Sequence, residues 1–156
     1  MRMTERTGSR GWLIGGTFAA VIPVLAARLD SRWSASRMQS RTVWDSVYTI
    51  SQATVGEAAY GKTCARCHGA SLSGADESPA LTGSGFLGNW NGLPLSDLQT
   101  RIRTTMPTDS VGIYDRQLVT DVIAYLLKAN GFPAGNADLP KDVEPLKEIF
   151  IQARKP

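Results

Sequence analysis

Apolar residues return with a helical period in three separate stretches of the chain. From Ser51, a candidate N-cap, Ala53, Gly56, Tyr60 and Cys64 fall at i, i+3, i+7 and i+11 and share one face. After Pro94, Leu95, Leu98 and Ile102 keep the same spacing, and one more step of four reaches Met106. The third stretch begins behind Asp115, a candidate cap. There Leu118, Val119, Val122, Ile123, Tyr125, Leu126 and Ala129 make a broad apolar face that Asn130, Gly131 and Pro133 bring to an end. Gly56 inside the first helix costs about 1 kcal/mol relative to alanine, which predicts that another backbone or a ring comes very close to it. Tyr125 is the ring expected there, with the first and last helices crossing at that pair.

The connecting stretches read differently. Gly69 to Gly92 is rich in Gly, Ser and Asn and is expected to be mainly loop. Residues 28–42 are Arg- and Ser-rich and read as a basic linker, after which Val43, Trp44, Val47 and Tyr48 bring apolar bulk that should fold back over the domain. Leu139, Leu146, Ile149 and Ile151 punctuate a tail among Pro and Lys, which predicts a short helical turn and an extended stretch lying across the domain. The expected division is therefore 1–27 leader, 28–42 linker, 43–140 domain and 141–156 tail.

Composition and charge sharpen this division. Arg2, Arg6 and Arg10 stand against a single Glu5, and residues 11–27 carry no charge, the form of a basic n-region joined to an apolar h-region. The run is shorter than the roughly 20 residues of a spanning helix, and Val24-Leu25-Ala26 or Leu25-Ala26-Ala27 offers a small-residue cleavage site. Export to the periplasm is expected, with an uncleaved membrane anchor through residues 11–27 as the alternative. The formal net charge of +3 includes the leader arginines; between Ser51 and Pro140 six basic residues face eight acidic ones. The basicity sits in the flanks, so no nucleic-acid partner is expected. What remains after the leader is one small domain, of a size that often needs a cofactor or staple.

The chemistry concentrates in Cys64-Ala65-Arg66-Cys67-His68. The spacing C-x-x-C-H is a c-type haem signature: each thiol adds to one vinyl group, and the histidine becomes the proximal iron ligand. A zinc site wants four ligands, and the chain has two Cys and one His in total. A thioredoxin-like pair follows a strand, whereas the residues before Cys64 read as helix. A ligating histidine needs an acceptor for its Nδ1 hydrogen, and a backbone carbonyl near Pro79 is placed to provide it, with Leu81 packed against the ring. Phe86 and Trp90 are candidates for the pocket wall, Trp90 reaching a propionate; plain core aromatics are an equal reading. Met106 precedes Pro107, which biases it to extended backbone and aims the thioether inward. Met1 and Met3 lie in the leader, Met38 in the linker, and no second histidine exists, which leaves Met106 as the internal donor for the sixth position. Arg101 and Arg103 are candidates to neutralise propionates, although exposed helix arginines are the commoner case.

Gly56-x-x-x-Tyr60-x-x-x-Cys64-x-x-Cys67-His68, the Met106-Pro107 pair and Val122-Ile123-Ala124-Tyr125-Leu126 stand in an order that resembles class I cytochromes c, over about residues 51–130. The resemblance implies an all-α fold wrapped around one covalently bound haem c, with the first and last helices crossing and histidine and methionine as axial ligands. It also implies a one-electron carrier without catalytic residues. Its partners would be redox proteins, a dehydrogenase as donor and an oxidase or another cytochrome as acceptor. The chain is similar, too, to exported bacterial cytochromes that accept electrons from pyrroloquinoline-quinone dehydrogenases. The alternatives are a haem enzyme with an open sixth position and a membrane-anchored haem subunit of a respiratory or quinoprotein dehydrogenase complex.

Overall fold

The first helix starts at Thr49 instead of Ser51. In the computed structural model, which describes residues 40–75 and 78–156, Thr49 is extended (φ −100°, ψ 155°) and its hydroxyl accepts from Gln52 N at 3.0 Å. A capping residue must itself be non-helical for its oxygen to reach the third helical N–H, and Ser51 already lies inside the helix. The expected leader and residues 28–39 of the expected linker lie outside the described residues. Among the described residues no helix is long and apolar enough to cross a membrane.

Among the described residues the helices are, in order, α1 (Ile50–Thr63), α2 (Ala65–His68), α3 (Gly83–Trp90), α4 (Leu95–Thr105), α5 (Arg116–Ala129) and α6 (Val143–Leu146). Two residues near the start, β1 (Arg41–Thr42), pair in parallel with β2 (Ile149–Phe150). The core is built where α1 and α5 pack, the most extensive contact between elements. α1 turns Gln52, Ala53, Gly56 and Tyr60 inward, the face that the periodicity predicts. Gly56 meets backbone, not the expected ring: a Cβ built there would collide with the Asp121 carbonyl and reach Val122 N at 3.0 Å. Tyr125 lies one turn further along and packs on Tyr60, with ring centroids 5.4 Å apart.

Asp115 caps α5 as expected, accepting from Leu118 N at 2.8 Å. Asn130 ends the helix and does more. Its amide nitrogen donates to Leu81 O at 3.0 Å and to Leu126 O at 2.8 Å, while its Oδ1 accepts from Gly83 N at 3.0 Å, tying the start of α3 to the end of α5. That tie helps explain a helix inside the stretch expected to be loop. Three glycines oppose it by propensity, and the burial of Phe86 with half-buried Leu87 and Trp90 overrides them.

Two buried glutamines fasten the segment after α5. Gln52 donates to Leu139 O at 3.0 Å and accepts from Leu139 N at 2.7 Å, and Gln99 donates to Lys141 O at 2.9 Å and to Thr120 Oγ1 at 2.8 Å. Leu139, Leu146, Ile149 and Ile151 are all buried, as the tail pattern predicts. The tail then runs between two segments. β1 flanks it on one side, and on the other Gly92 N donates to Ile151 O at 2.7 Å and Ile151 N to Leu93 O at 2.9 Å. Arg41 and Thr42, read from the sequence as the last linker residues, are thus part of the folded body. Val43, Val47 and Tyr48 are buried, Trp44 donates from its indole to Gln152 O at 2.9 Å, and the Tyr48 hydroxyl donates to Phe132 O at 2.7 Å.

Candidate haem-attachment site

α1 stops one residue before the first thiol. Cys64 N still donates to Tyr60 O at 2.9 Å, and the Cys64 carbonyl then accepts from Cys67 N at 3.1 Å and His68 N at 3.0 Å. Cys64, Cys67 and His68 are therefore presented from a single turn. Gly69 closes that turn at φ +74°, a conformation glycine adopts without a Cβ penalty. Both thiols are free, Cys64 half-buried and Cys67 exposed. Burial pushes the Cys64 thiol up from its ordinary value, against a contact of 3.2 Å with Thr63 Oγ1 that lowers it.

His68 Nδ1 lies 3.0 Å from the carbonyl oxygen of Pro79. A carbonyl can only accept, so Nδ1 carries the proton and the lone pair is left on Nε2. The loop that delivers Pro79 is pinned at several points: Gly74 N donates to His68 O at 3.0 Å, Leu81 N to Leu72 O at 2.8 Å, and Asn130 holds Leu81 O. Leu81 is half-buried against the core. Below this loop the Tyr60 hydroxyl donates to Gly69 O at 2.6 Å. Burial first, then the charges of Cys64 and Tyr125, push that hydroxyl up to about 12.

Met106 caps α4 in extended backbone (φ −120°, ψ 147°), as a residue before proline should, and its N–H still donates to Ile102 O at 2.9 Å. It is half-buried. The segment that follows returns to the cysteine turn: Arg66, between the two thiols, pairs with Asp109 at 2.6 Å. The pair holds the Arg66 guanidinium above and the Asp109 carboxyl below their ordinary values.

Of the two candidate arginines, Arg101 is exposed, whereas Arg103 is half-buried and its Nε is a buried donor without a partner among the described residues. Phe86 is buried and Trp90 half-buried, their ring centroids 6.4 Å apart. The roles of Asp109, Asn130 and Thr63 had no signal in residue spacing; each depends on a contact made through the fold.

Residues 51–126 match the family model described as cytochrome c oxidase, cbb3-type, subunit III. The match spans just under half of the chain and makes it similar to a c-type cytochrome domain, and the described residues are helical with almost no sheet, as an all-α fold requires. A solved structure, the sulfane dehydrogenase SoxCD from Paracoccus pantotrophus, is similar with a TM-score of 0.45 and 21% identity, over 69% of this chain and 61% of that one. The chain thus spans less than two thirds of that chain's length. No curated protein matches.

A domain of this class implies covalently bound haem c, and the residues present fit such a group. Two free thiols and an imidazole with its free nitrogen at Nε2 come from one turn, and a thioether stands on extended backbone beside the segment that Asp109 ties to that turn. The buried unpartnered Nε of Arg103 is a donor of the kind that a carboxylate of the group would satisfy.

Proposed function

We propose that the protein is an exported mono-haem cytochrome c that carries one electron at a time between redox proteins. In this reading Cys64 and Cys67 would bond the haem, His68 and Met106 would be its iron ligands, and the domain proper would extend over residues 43–140, joined by Arg41 and Thr42, with the 141–156 tail packed on it. The observation that carries the reading is the 3.0 Å contact between His68 Nδ1 and Pro79 O, which fixes the tautomer and orientation that ligation through Nε2 requires. The haem would supply a reversible one-electron couple, tuned toward the ferrous state by a thioether ligand.

The side chains divide the remaining work. The Pro79 carbonyl holds the imidazole proton, and Met106 would supply the second iron ligand beside His68, which would leave substrate no open place to bind. Arg103, rather than Arg101, balances propionate charge. Leu81 and Trp90 contribute apolar surface that keeps water away. In this reading the iron would be the reactive centre, and the protein's part is to bind and tune it. Docking to a donor dehydrogenase and an acceptor oxidase or cytochrome would use small, transient interfaces.

The matched family description, an oxidase subunit, favours a second reading in which residues 11–27 stay uncleaved and tether the domain to a membrane complex. N-terminal sequencing of the mature protein separates the two. The ligand set is tested by Met106→Ala, which should keep covalent haem, lose the sulfur-to-iron charge-transfer band and lower the potential. An unchanged band refutes the assignment, and rapid carbon monoxide binding by the reduced native protein would favour an open iron site.

A further inference from the structure

The segment that follows Met106 has little of its own to hold it. Residues 108–113 are all exposed, and the apolar side chains among them, Val111 and Ile113, are 55% and 62% exposed, leaving more than half of each in solvent. Ser110 N donates to Pro107 O at 3.1 Å, within the segment itself. The next residue packed on the core is Tyr114, immediately before the Asp115 cap of α5. Among the described residues, the side-chain bond that ties this segment to another part of the molecule is Asp109 to Arg66, at 2.6 Å. Arg66 is no arbitrary surface cation: it sits between Cys64 and Cys67, on the turn that presents His68.

We propose that Arg66 and Asp109 form a latch that holds the Met106 segment closed over the iron, so that the ion pair sets how readily the sixth position opens to an incoming ligand. The proposal rests on Met106 as the axial ligand and goes beyond it, because ligation alone does not say what keeps the thioether in place. Both residues are positioning residues: neither touches the iron, and each acts through the backbone between itself and a ligand. Asp109 is three residues from Met106 and Arg66 two from His68, so release of the pair frees one ligand segment from the other without disturbing the core. An exposed ion pair is a weak tie, and a weak tie suits a segment that must open without unfolding the domain.

The experiment is an imidazole titration of the oxidised, haem-loaded full chain, followed through the shift of the Soret band in every variant and, where Met106 is present, through loss of the sulfur-to-iron charge-transfer band as well. Asp109→Asn and Arg66→Gln should each bind imidazole about two- to fivefold more tightly than the wild type, the range an exposed ion pair supports. The double variant should bind no more tightly than either single one, and exchanging the charges (Arg66→Asp with Asp109→Arg) should restore wild-type affinity. Salt at about 1 M, where the screening length falls to about 3 Å, should bring the wild type to the level of the single variants. Variants that bind as the wild type does at low salt, or single effects that add in the double variant, overturn the latch. Met106→Ala serves as the control: if it binds imidazole no more tightly than the wild type, Met106 is not the displaced ligand, and the latch falls together with the ligand assignment.

Discussion

Gly56 and the carbonyl of Asp121 touch across the packing of α1 on α5 so closely that no side chain fits between them. The contact lets the helix that leads into the cysteine turn lie directly on the helix that carries Tyr125, and so sets where Cys64 and His68 stand. Gly56→Ala should destabilise the haem-loaded protein by about 1–3 kcal/mol, the range for overpacking a close-packed site. Gly61, in the same helix, has nothing within 4 Å of a built Cβ. Gly61→Ala should therefore stabilise by up to about 1 kcal/mol through helix propensity. Urea midpoints of the two variants check this, and equal shifts would contradict it.

The Gly56 contact also marks how far the residues alone reach. A glycine inside an apolar helical face announces a close neighbour, but only the crossing geometry of two helices decides whether that neighbour is the ring of Tyr125 or the backbone of Asp121. Local rules were enough for the Asp115 cap, the extended Met106 before Pro107 and the buried tail positions, because each depends on neighbours in the chain. α3 was hidden because propensity argues against Gly83–Trp90, and the two things that favour it, burial of Phe86 and the Asn130 cap, come from elsewhere in the fold. The same holds for Gln52 and Gln99, which look like surface residues by composition and are buried as side-chain partners for the backbone of the tail. Arg101 and Arg103 were equivalent in sequence and are separated by the faces of α4 on which they lie.

Tyr60 gives the fold a defined alkaline limit. Tyr60 is buried, with 2% of its surface exposed; its hydroxyl donates to Gly69 O at 2.6 Å and is pushed up from 10.0 to about 12, mainly by burial. The unfolded chain therefore loses this proton at lower pH than the folded one. Its contribution to stability is complete below pH 10 and is lost as pH rises from 10 toward 12. Urea midpoints of wild type and Tyr60→Phe across this range should converge as pH rises, the variant starting about 1 kcal/mol lower at neutral pH. Parallel curves would show that the Tyr60 proton plays no part.

Arg103 and Arg101 make opposite predictions for the redox couple. Arg103 is half-buried with a buried Nε, and a cation so placed beside the proposed propionate would disfavour the oxidised iron, so Arg103→Gln should lower the midpoint potential. Arg101→Gln, on the exposed face, should leave it nearly unchanged, because solvent screens its charge. Potentiometric titration of both variants decides between them. The reverse order would move the propionate contact to Arg101.

The central claim is that Cys64 and Cys67 hold a haem through thioether bonds, and the most direct test is the mass of the denatured chain. Matured in cells that contain cytochrome c maturation machinery and then extracted with acid acetone, the protein should keep its pigment and weigh one haem more than the polypeptide. Cys64→Ala with Cys67→Ala should lose both. A wild-type chain that gives up its pigment to the solvent, or whose mass equals that of the bare polypeptide, would contradict the account.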